Sequence, residues 1–458
     1  MQPLAIERAG ETQASSPEVE ASPRWSLAHR IAFRYVVSYF FLFLMPELVV
    51  NILPFTAFLL RWHEAFWTPI VVWVGQHVFH TSYELYTLYG EAFISNTAYG
   101  SILFVCYLVL AAVATLAWSL LDRRRASYER LHQWVRLLLR YTLAGAMISY
   151  GTLKVIPVQM TSPLPLGALK MRLGELPPMR LLWLFVGSST AYEMCTGAAE
   201  LLGGVLLLVP RTVLLGALVC FGDMAMVFTL NMCFDVHVKL YSFHLLFMSV
   251  LLIAPDASRL ARLFLLNRPV EPAVTPPLFA NRWLDRAPHI LLFLFGVYAI
   301  GTDFAAAYKR YKPFHPPRPP LYGVWSVEEF SLDGKVVPLA TDPQRWRWVT
   351  FQSPGVLSVE LMIGKSASYA IDLDTRAKRM VLARTRVDPQ RGVVKDAAGR
   401  PVKEPGWRAE LAYAEPTKDD LVLDGVVDGH HLHAKLSKMA QLRDNFRWIV
   451  VFSKEDRQ

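Results

Sequence analysis

The 458-residue sequence describes a polytopic α-helical membrane bundle followed by a small antiparallel β-barrel. Three observations carry that reading. The chain is 53% hydrophobic and 19% charged, too apolar for an ordinary soluble protein. The apolar excess sits before residue 305, in runs of about 20 residues, the length that crosses a bilayer core. After a proline-rich stretch the pattern changes to short segments alternating apolar and polar residues, the period of a strand with one buried face.

Residues 1–24 are polar, rich in Glu, Ser and Pro, and lack the apolar core of a signal peptide, so they read as a disordered tail. Candidate spans follow at 31–50, 96–120, 136–156, 182–208, 212–232, 237–254 and 287–307. The run EAFWTPIVVWVGQHVFH (64–80) is shorter and rich in Trp and His, and is expected to lie at the membrane interface, with a re-entrant hairpin as the alternative. The expected division is therefore the tail, N-terminal spans with the interfacial segment (25–135), a helical bundle (136–268), a linker and last span (269–312), a stiff proline linker PFHPPRPP (313–320) and the barrel (321–458). The barrel region holds about eight or nine strand-like segments separated by LDGK, SPG, DLDT, DAAGRP and VDGH turns. Closing such a sheet removes its edges, and a barrel of about eight strands can hold one small ligand.

Lys and Arg in short loops set membrane orientation. Arg123, Arg124, Arg125, Arg130, Arg136 and Arg140 follow the second span, and Arg259, Arg262, Arg268, Arg282 and Arg286 follow the sixth. Both loops are expected in the cytoplasm. Seven spans then leave the N-terminus cytoplasmic and the C-terminal domain on the outer, periplasmic face of a bacterial-type inner membrane, although Lys309, Arg310, Lys312 and Arg318 oppose that bias. The net charge of +9 reflects these loops and contact with anionic headgroups; nothing in its pattern points to nucleic acid. Cys106, Cys195, Cys220 and Cys233 form no CxxC or Cys/His cluster and read as small packing residues. In a strand His431 and His433 share a face while His430 points the other way, so these read as solvent-facing histidines, and no metal site is expected.

Glu193, Glu200 and Asp223 lie inside membrane-length apolar runs. A charged carboxylate at the bilayer centre costs about 2.5–3.5 kcal/mol, so each must be paired, protonated or placed in a wet cavity. Gly187, Ala191, Cys195, Ala199 and Gly203 recur every four residues and are expected to form the close-packing face of their helix. Glu193 and Glu200, two turns apart, share a different stripe with Thr196 and Gly204. The short Pro210-Arg211 turn makes an antiparallel hairpin of the fourth and fifth spans. Counting about 1.5 Å per residue from that turn puts Glu200 at about 15 Å, Asp223 at about 20 Å and Glu193 at about 25 Å. Asp223 is thus expected between the two glutamates in depth, in a ladder of three acids. Asn231, Asp235, His237, Lys239 and His244 gather at the next turn, and Lys154 ends the third span. His244 is the candidate for titration near neutral pH; Lys154, Asn231, Asp235, His237 and Lys239 are the candidate substrate-binding groups.

The arrangement Thr196-Gly197, Glu200-x-x-Gly203-Gly204-x-Leu206-Leu207, followed by Gly216, Asn231 and Asp235-x-x-x-Lys239, resembles the DoxX-like membrane proteins over about residues 138–265. That resemblance implies a four-helix membrane core and a quinone-linked oxidation of a small molecule. The implied cofactor is a lipid quinone. No haem, flavin or iron–sulfur signature occurs, so electrons would come from substrate or a redox partner protein. The C-terminal domain resembles a lipocalin-type (calycin) barrel through Gly323-Val324-Trp325 and Arg447-Trp448, which implies Trp325 packed against Arg447 at the barrel floor.

Two function classes follow. In the first, Glu193, Glu200, Asp223 and His244 move protons for a quinone-linked membrane oxidoreductase, and Lys154 or Lys239 polarises a quinone carbonyl. In the second, a non-enzymatic binding or transport module uses the barrel to capture an apolar ligand or lipid. Against both stands a purely structural role, in which the acids fix the bundle through hydrogen bonds and ion pairs.

Overall fold

The computed structural model describes residues 24–52, 57–81, 97–160, 165–272, 277–314, 317–337, 342–388, 392–394, 396 and 401–439. The expected N-terminal tail through residue 23 and the expected floor residue Arg447 lie outside the described residues. The chain forms two compact units, Met1–Leu143 with His237–Ile290, and Ala144–Val236 with Leu291–Gln458.

The helices are α1 (Leu27–Ile52), α2 (Ala57–His77), α3 (Ala98–Leu121), α4 (Glu129–Val155), α5 (Pro178–Gly187), α6 (Thr190–Leu208), α7 (Val213–Cys233), α8 (Lys239–Ile253), α9 (Ala257–Phe264) and α10 (Arg282–Phe314). Six candidate membrane spans occur among the described residues: Leu27–Pro46, Ala98–Leu121, Thr190–Leu208, Pro210–Cys233, Lys239–Phe264 and Arg282–Tyr311. The expected span at 136–156 forms part of α4, whose 27 residues are long enough to cross but carry Arg136, Arg140 and Lys154. The expected span at 182–208 is divided. A break at Ser188-Ser189 separates α5 from α6, and the Ser189 hydroxyl caps α6 by accepting from the Tyr192 amide at 3.3 Å.

In the first unit, α1 packs on α3, and α2 packs on both. The run read as interfacial belongs to α2, which buries Trp67 and Val71 and turns Trp62, Phe66 and Trp73 outward. Arg34 of α1 is buried yet fully engaged: it donates to the Tyr128 hydroxyl (2.8 and 2.9 Å), Ser119 Oγ (2.9 Å) and the Asp122 carbonyl (2.7 Å). A buried cation needs such partners, and these tie α1 to the end of α3 and the start of α4.

The second unit contains the rest of α4, α5–α7, most of α10 and the barrel. Because α10 runs to Phe314, the proline linker is shorter than 313–320. The strands are β1 (Gly323–Leu332), β2 (Lys335–Val336), β3 (Trp346–Ser353), β4 (Val356–Leu361), β5 (Ser366–Asp374), β6 (Arg379–Thr385), β7 (Val387–Asp388), β8 (Gly392–Val393), β9 (Lys403–Thr417), β10 (Asp420–Val427) and β11 (His430–Lys438). Eight of them close an antiparallel barrel in the order β1-β3-β4-β5-β6-β9-β10-β11, with β11 pairing back onto β1. Trp325 opposite Lys438 and Leu332 opposite Leu432 fix the closing register. β2 extends the β1 edge, and β7–β8 form a separate two-stranded ribbon.

The turns are those the local residues demand. Asp333-Gly334 and Asp428-Gly429 have positive φ at both positions, the type I′ signature of tight hairpins. In Ser353-Pro354-Gly355-Val356, Pro occupies the second position and Gly355 the third with φ +74°, a type II turn. Side chains fill the barrel interior: Trp325, Phe330, Trp346, Phe351, Met380 and Leu411 are among its buried residues. The Trp325 indole donates to the Leu321 carbonyl at 3.0 Å, and the Lys438 ammonium lies 5.5 Å from its ring centroid. A cation therefore faces the Trp325 ring, supplied by Lys438. Buried Arg345 donates to the carbonyls of Val337 (2.8 Å) and Glu328 (3.1 Å), tying the start of β3 to β1 and the segment after β2.

Candidate functional site

The site is built where α6 meets α4 and α7, and glycines set how closely the helices approach. A Cβ on Gly197 would lie 2.5 Å from Lys154 Cβ and 2.7 Å from the Gly151 carbonyl oxygen; one on Gly151 would lie 2.6 Å from the Leu201 amide nitrogen. Gly204 sits against Ala144 and Ile148 of the same helix. On the α7 side, Gly203 abuts Cys220, and Gly216 abuts Leu206 and Leu207.

These contacts correct two expectations. The stripe Gly187, Ala191, Cys195, Ala199, Gly203 is not the packing face, because Ala191, Cys195 and Ala199 are exposed. The face that packs on α4 is the one bearing Glu193, Gly197, Glu200 and Gly204, all buried. Acid groups and close helix contact coincide. The second correction concerns depth. Residues 210–212 form a 3₁₀ turn rather than a two-residue link, which moves the hairpin centre by one residue. With Gly203 against Cys220 and Leu207 against Gly216, Glu200 falls opposite Asp223, not deeper or shallower.

Lys154 and Glu200 form a direct ion pair, both side chains less than a tenth exposed. The Lys154 ammonium also lies 5.9 Å from the Tyr150 ring centroid. Asp223 interacts electrostatically with Glu200 and Lys154, and its neighbour Cys220 with both acids. Glu200 Oε2 and Asp223 Oδ2 are buried and lack a hydrogen-bond partner among the described residues. Glu193, fully buried, is engaged elsewhere: it accepts the Met160 amide at 3.0 Å, pinning the chain that leaves α4. The three acids thus do not form one ladder. Glu200 pairs with Lys154, Asp223 interacts electrostatically with both, and Glu193 holds a loop.

The remaining candidates separate. Asn231 is buried near the end of α7, and Asp235 is exposed in the following turn with φ +51°. His237, Lys239 and His244 belong to the other compact unit. There His244 is enclosed by aromatic rings: Phe43 stacks on it at 3.8 Å, and Tyr39 and Phe104 lie at 5.7 and 5.8 Å. Its Nδ1 meets the Leu240 carbonyl at 2.5 Å and its Nε2 meets the Tyr39 hydroxyl. A carbonyl accepts only, so Nδ1 carries a proton, and with Nε2 on the Tyr39 hydroxyl both ring nitrogens are used.

The barrel histidines pair with carboxylates: His430 with Asp333 (2.7 Å), and His431 and His433 with Asp424 (3.2 and 2.8 Å). His431 and His433 share a face, as their spacing indicates. Among the described residues no group of three or more His, Cys, Asp and Glu is arranged to hold a metal ion.

One acid escaped the sequence reading. Asp303 lies within the last apolar span and hydrogen-bonds Ser149 of α4. Its signal was present, a carboxylate inside 287–307, but it stands near the end of that run, where charge is cheap.

No family model matches the chain. Over 125 residues the chain is 32% identical to the uncharacterized protein YwoB of Bacillus subtilis (strain 168), a match covering 27% of this chain and 79% of the relative. No solved structure matches.

Proposed function

The chain belongs to the family of Bacillus subtilis YwoB, and on that premise we propose that it is a membrane protein holding an exchangeable proton at Lys154, Glu200 and Asp223. One observation carries this reading: two carboxylates stand at one level of the α6–α7 hairpin, Glu200 paired with the Lys154 ammonium and Asp223 in electrostatic interaction with both, each with a buried oxygen that has no hydrogen-bond partner among the described residues. One ammonium balances one carboxylate. In a medium where an uncompensated charge costs several kcal/mol, the second is neutral only when it carries a proton, shared between the two acids. Deprotonation leaves a net negative charge, so proton release must accompany a compensating charge elsewhere.

The finer reading is a DoxX-like, quinone-linked oxidoreductase. Reducing a quinone to its quinol takes up two electrons and two protons. Lys154, Glu200 and Asp223 would relay protons, while substrate or a redox partner protein supplies the electrons. Glu193 and His244 are not part of that relay, since each is engaged in a local contact. A barrel that captures an apolar ligand in its interior has less support, because Trp325, Phe330, Trp346 and Phe351 occupy that space.

Infrared difference spectra of the purified protein across a pH titration test the proton site. A protonated carboxyl C=O band that titrates in the native protein and disappears in Asp223→Asn is expected. A spectrum unchanged by Asp223→Asn and by Glu200→Gln would reject it. Quinone retained by the native protein and lost from Asp223→Asn, which leaves the Lys154–Glu200 pair intact, at unchanged thermal stability, supports the redox reading; protein that neither retains nor reduces quinone rejects the redox reading alone.

A further inference from the structure

The barrel carries a second candidate site, outside its filled interior. A cavity of about 310 Å³ opens between the proline segment Pro317–Pro320 and the walls formed by Phe351, Gly355, Ile371 and Leu373. That size falls within the range of small-ligand sites. Its chemistry is one-sided. Pro317, Pro319 and Pro320 have no backbone N–H to offer, and Phe351 and Ile371 present apolar surface continuous with the core. Arg318 is the only charged lining residue. Its guanidinium lies 4.9 Å from the Tyr322 ring centroid, and among the described residues no carboxylate pairs with it. A guanidinium held over an aromatic ring still has N–H groups to donate to an oxyanion.

The place of the cavity in the chain indicates where a ligand would come from. The apolar span of α10 ends at Tyr311 and its helix at Phe314; the cavity wall begins three residues later. At no more than about 3.3–3.6 Å per residue, Pro317 lies within about 22 Å of the end of the span, within reach of the headgroup layer.

We propose that this cavity binds an anionic phospholipid of the adjoining leaflet, with its phosphate on Arg318 and one acyl chain against Phe351, Ile371 and Leu373. The site stands independently of the proton site. It also gives the positive charge that follows the last span a use on a face where positive residues are otherwise disfavoured.

The test uses the full-length protein in lipid nanodiscs with a photoactivatable acyl chain on either an anionic or a zwitterionic phospholipid. Peptide mapping should find the anionic probe on residues 351–356 or 371–373, and the zwitterionic probe about fivefold less, because its own headgroup ammonium competes with Arg318 for the phosphate and cancels its net charge. Arg318→Glu should lower the anionic cross-link by a similar factor, and Leu373→Trp, which fills the cavity, should abolish it. A circular-dichroism melt checks that both variants remain folded. Equal labelling by the two headgroups, labelling unaffected by Arg318→Glu in folded protein, labelling confined to the helices, or displacement by free fatty acid but not by unlabelled anionic phospholipid would each overturn the proposal.

Discussion

At the residue scale the energetics turn on Lys154. Removing one partner of a buried ion pair leaves the other charge uncompensated, which costs about 3–5 kcal/mol, whereas replacing both by apolar groups of similar volume is often neutral. Lys154→Met is therefore expected to lower the thermal midpoint sharply, and Lys154→Met with Glu200→Met to recover most of the loss. A double variant as unstable as the single would show that Glu200 contributes through something other than its pairing with Lys154. A second prediction concerns the barrel surface. The His430 side chain and the His431 amide hold the Asp333 carboxyl below the usual carboxylate range. A lowered folded value stabilises the native state above the unfolded pKa, and the contribution is lost as pH falls through the folded value. Asp333→Asn should thus lower the barrel's stability slightly at neutral pH, with the difference from the native protein vanishing as pH falls below about 4, as a pH series of thermal melts would read. The sequence made Glu200 and Asp223 visible as carboxylates in apolar runs, because their insertion cost demands an explanation. It could not separate Glu193 from them: the amide that satisfies Glu193 comes from Met160, and only the fold brings that backbone group to it.

Helix faces were the least legible feature at the scale of elements. The helix α6 presents two stripes of small residues, and in a bilayer the lipid side is as apolar as the protein side, so hydrophobicity cannot choose between them. The carboxylates choose. Turning Glu193 and Glu200 to lipid would cost about 2.5–3.5 kcal/mol each, and turning Ala191, Cys195 and Ala199 outward costs little. Gly197 and Gly204 on the acid face then permit close contact with α4. This fixes a prediction. Gly197→Ala drives a methyl group into the backbone of α4, with no flexible side chain able to yield, and should destabilise by about 1–3 kcal/mol or more. Gly222→Ala in α7 meets nothing within 4 Å and should be neutral or stabilising by up to about 1 kcal/mol. Equal melting shifts for the two would contradict the α4–α6 crossing. The strands were easier to read, because alternation along a barrel wall has one solution once Asp-Gly turns fix the register, as at Asp333-Gly334 and Asp428-Gly429.

Over the whole molecule, membrane sidedness rests on two independent arguments that must agree. Lys170, in the loop between α4 and α5, pairs with Glu360 of β4 at 2.8 Å, both side chains about four-fifths buried. The loop that leaves α4 is therefore on the same side of the membrane as the barrel that follows α10. From the arginines at the opposite ends, Arg123–Arg125 before α4 and Arg282 and Arg286 at the start of α10, we expect those ends in the cytoplasm. With the barrel and the α4–α5 loop on one side, α4 and α10 are then expected to cross in the same sense, α4 despite its charges, with the barrel on the outer face. The test is single-cysteine labelling in a background lacking Cys106, Cys195, Cys220 and Cys233. Asp419→Cys, in the exposed β9–β10 turn, should react with a membrane-impermeant maleimide on intact spheroplasts, and Arg124→Cys only after permeabilisation. The Lys170–Glu360 pair can be assessed in the same material: Lys170→Glu should loosen the barrel from the loop by about 1 kcal/mol, and adding Glu360→Lys should restore it. Labelling of Arg124→Cys in intact spheroplasts, with Asp419→Cys protected, would reverse the orientation while leaving the shared side of loop and barrel intact. Labelling of both in intact spheroplasts would break the link between charge bias and fold, and α4 would then have to lie along the membrane rather than through it.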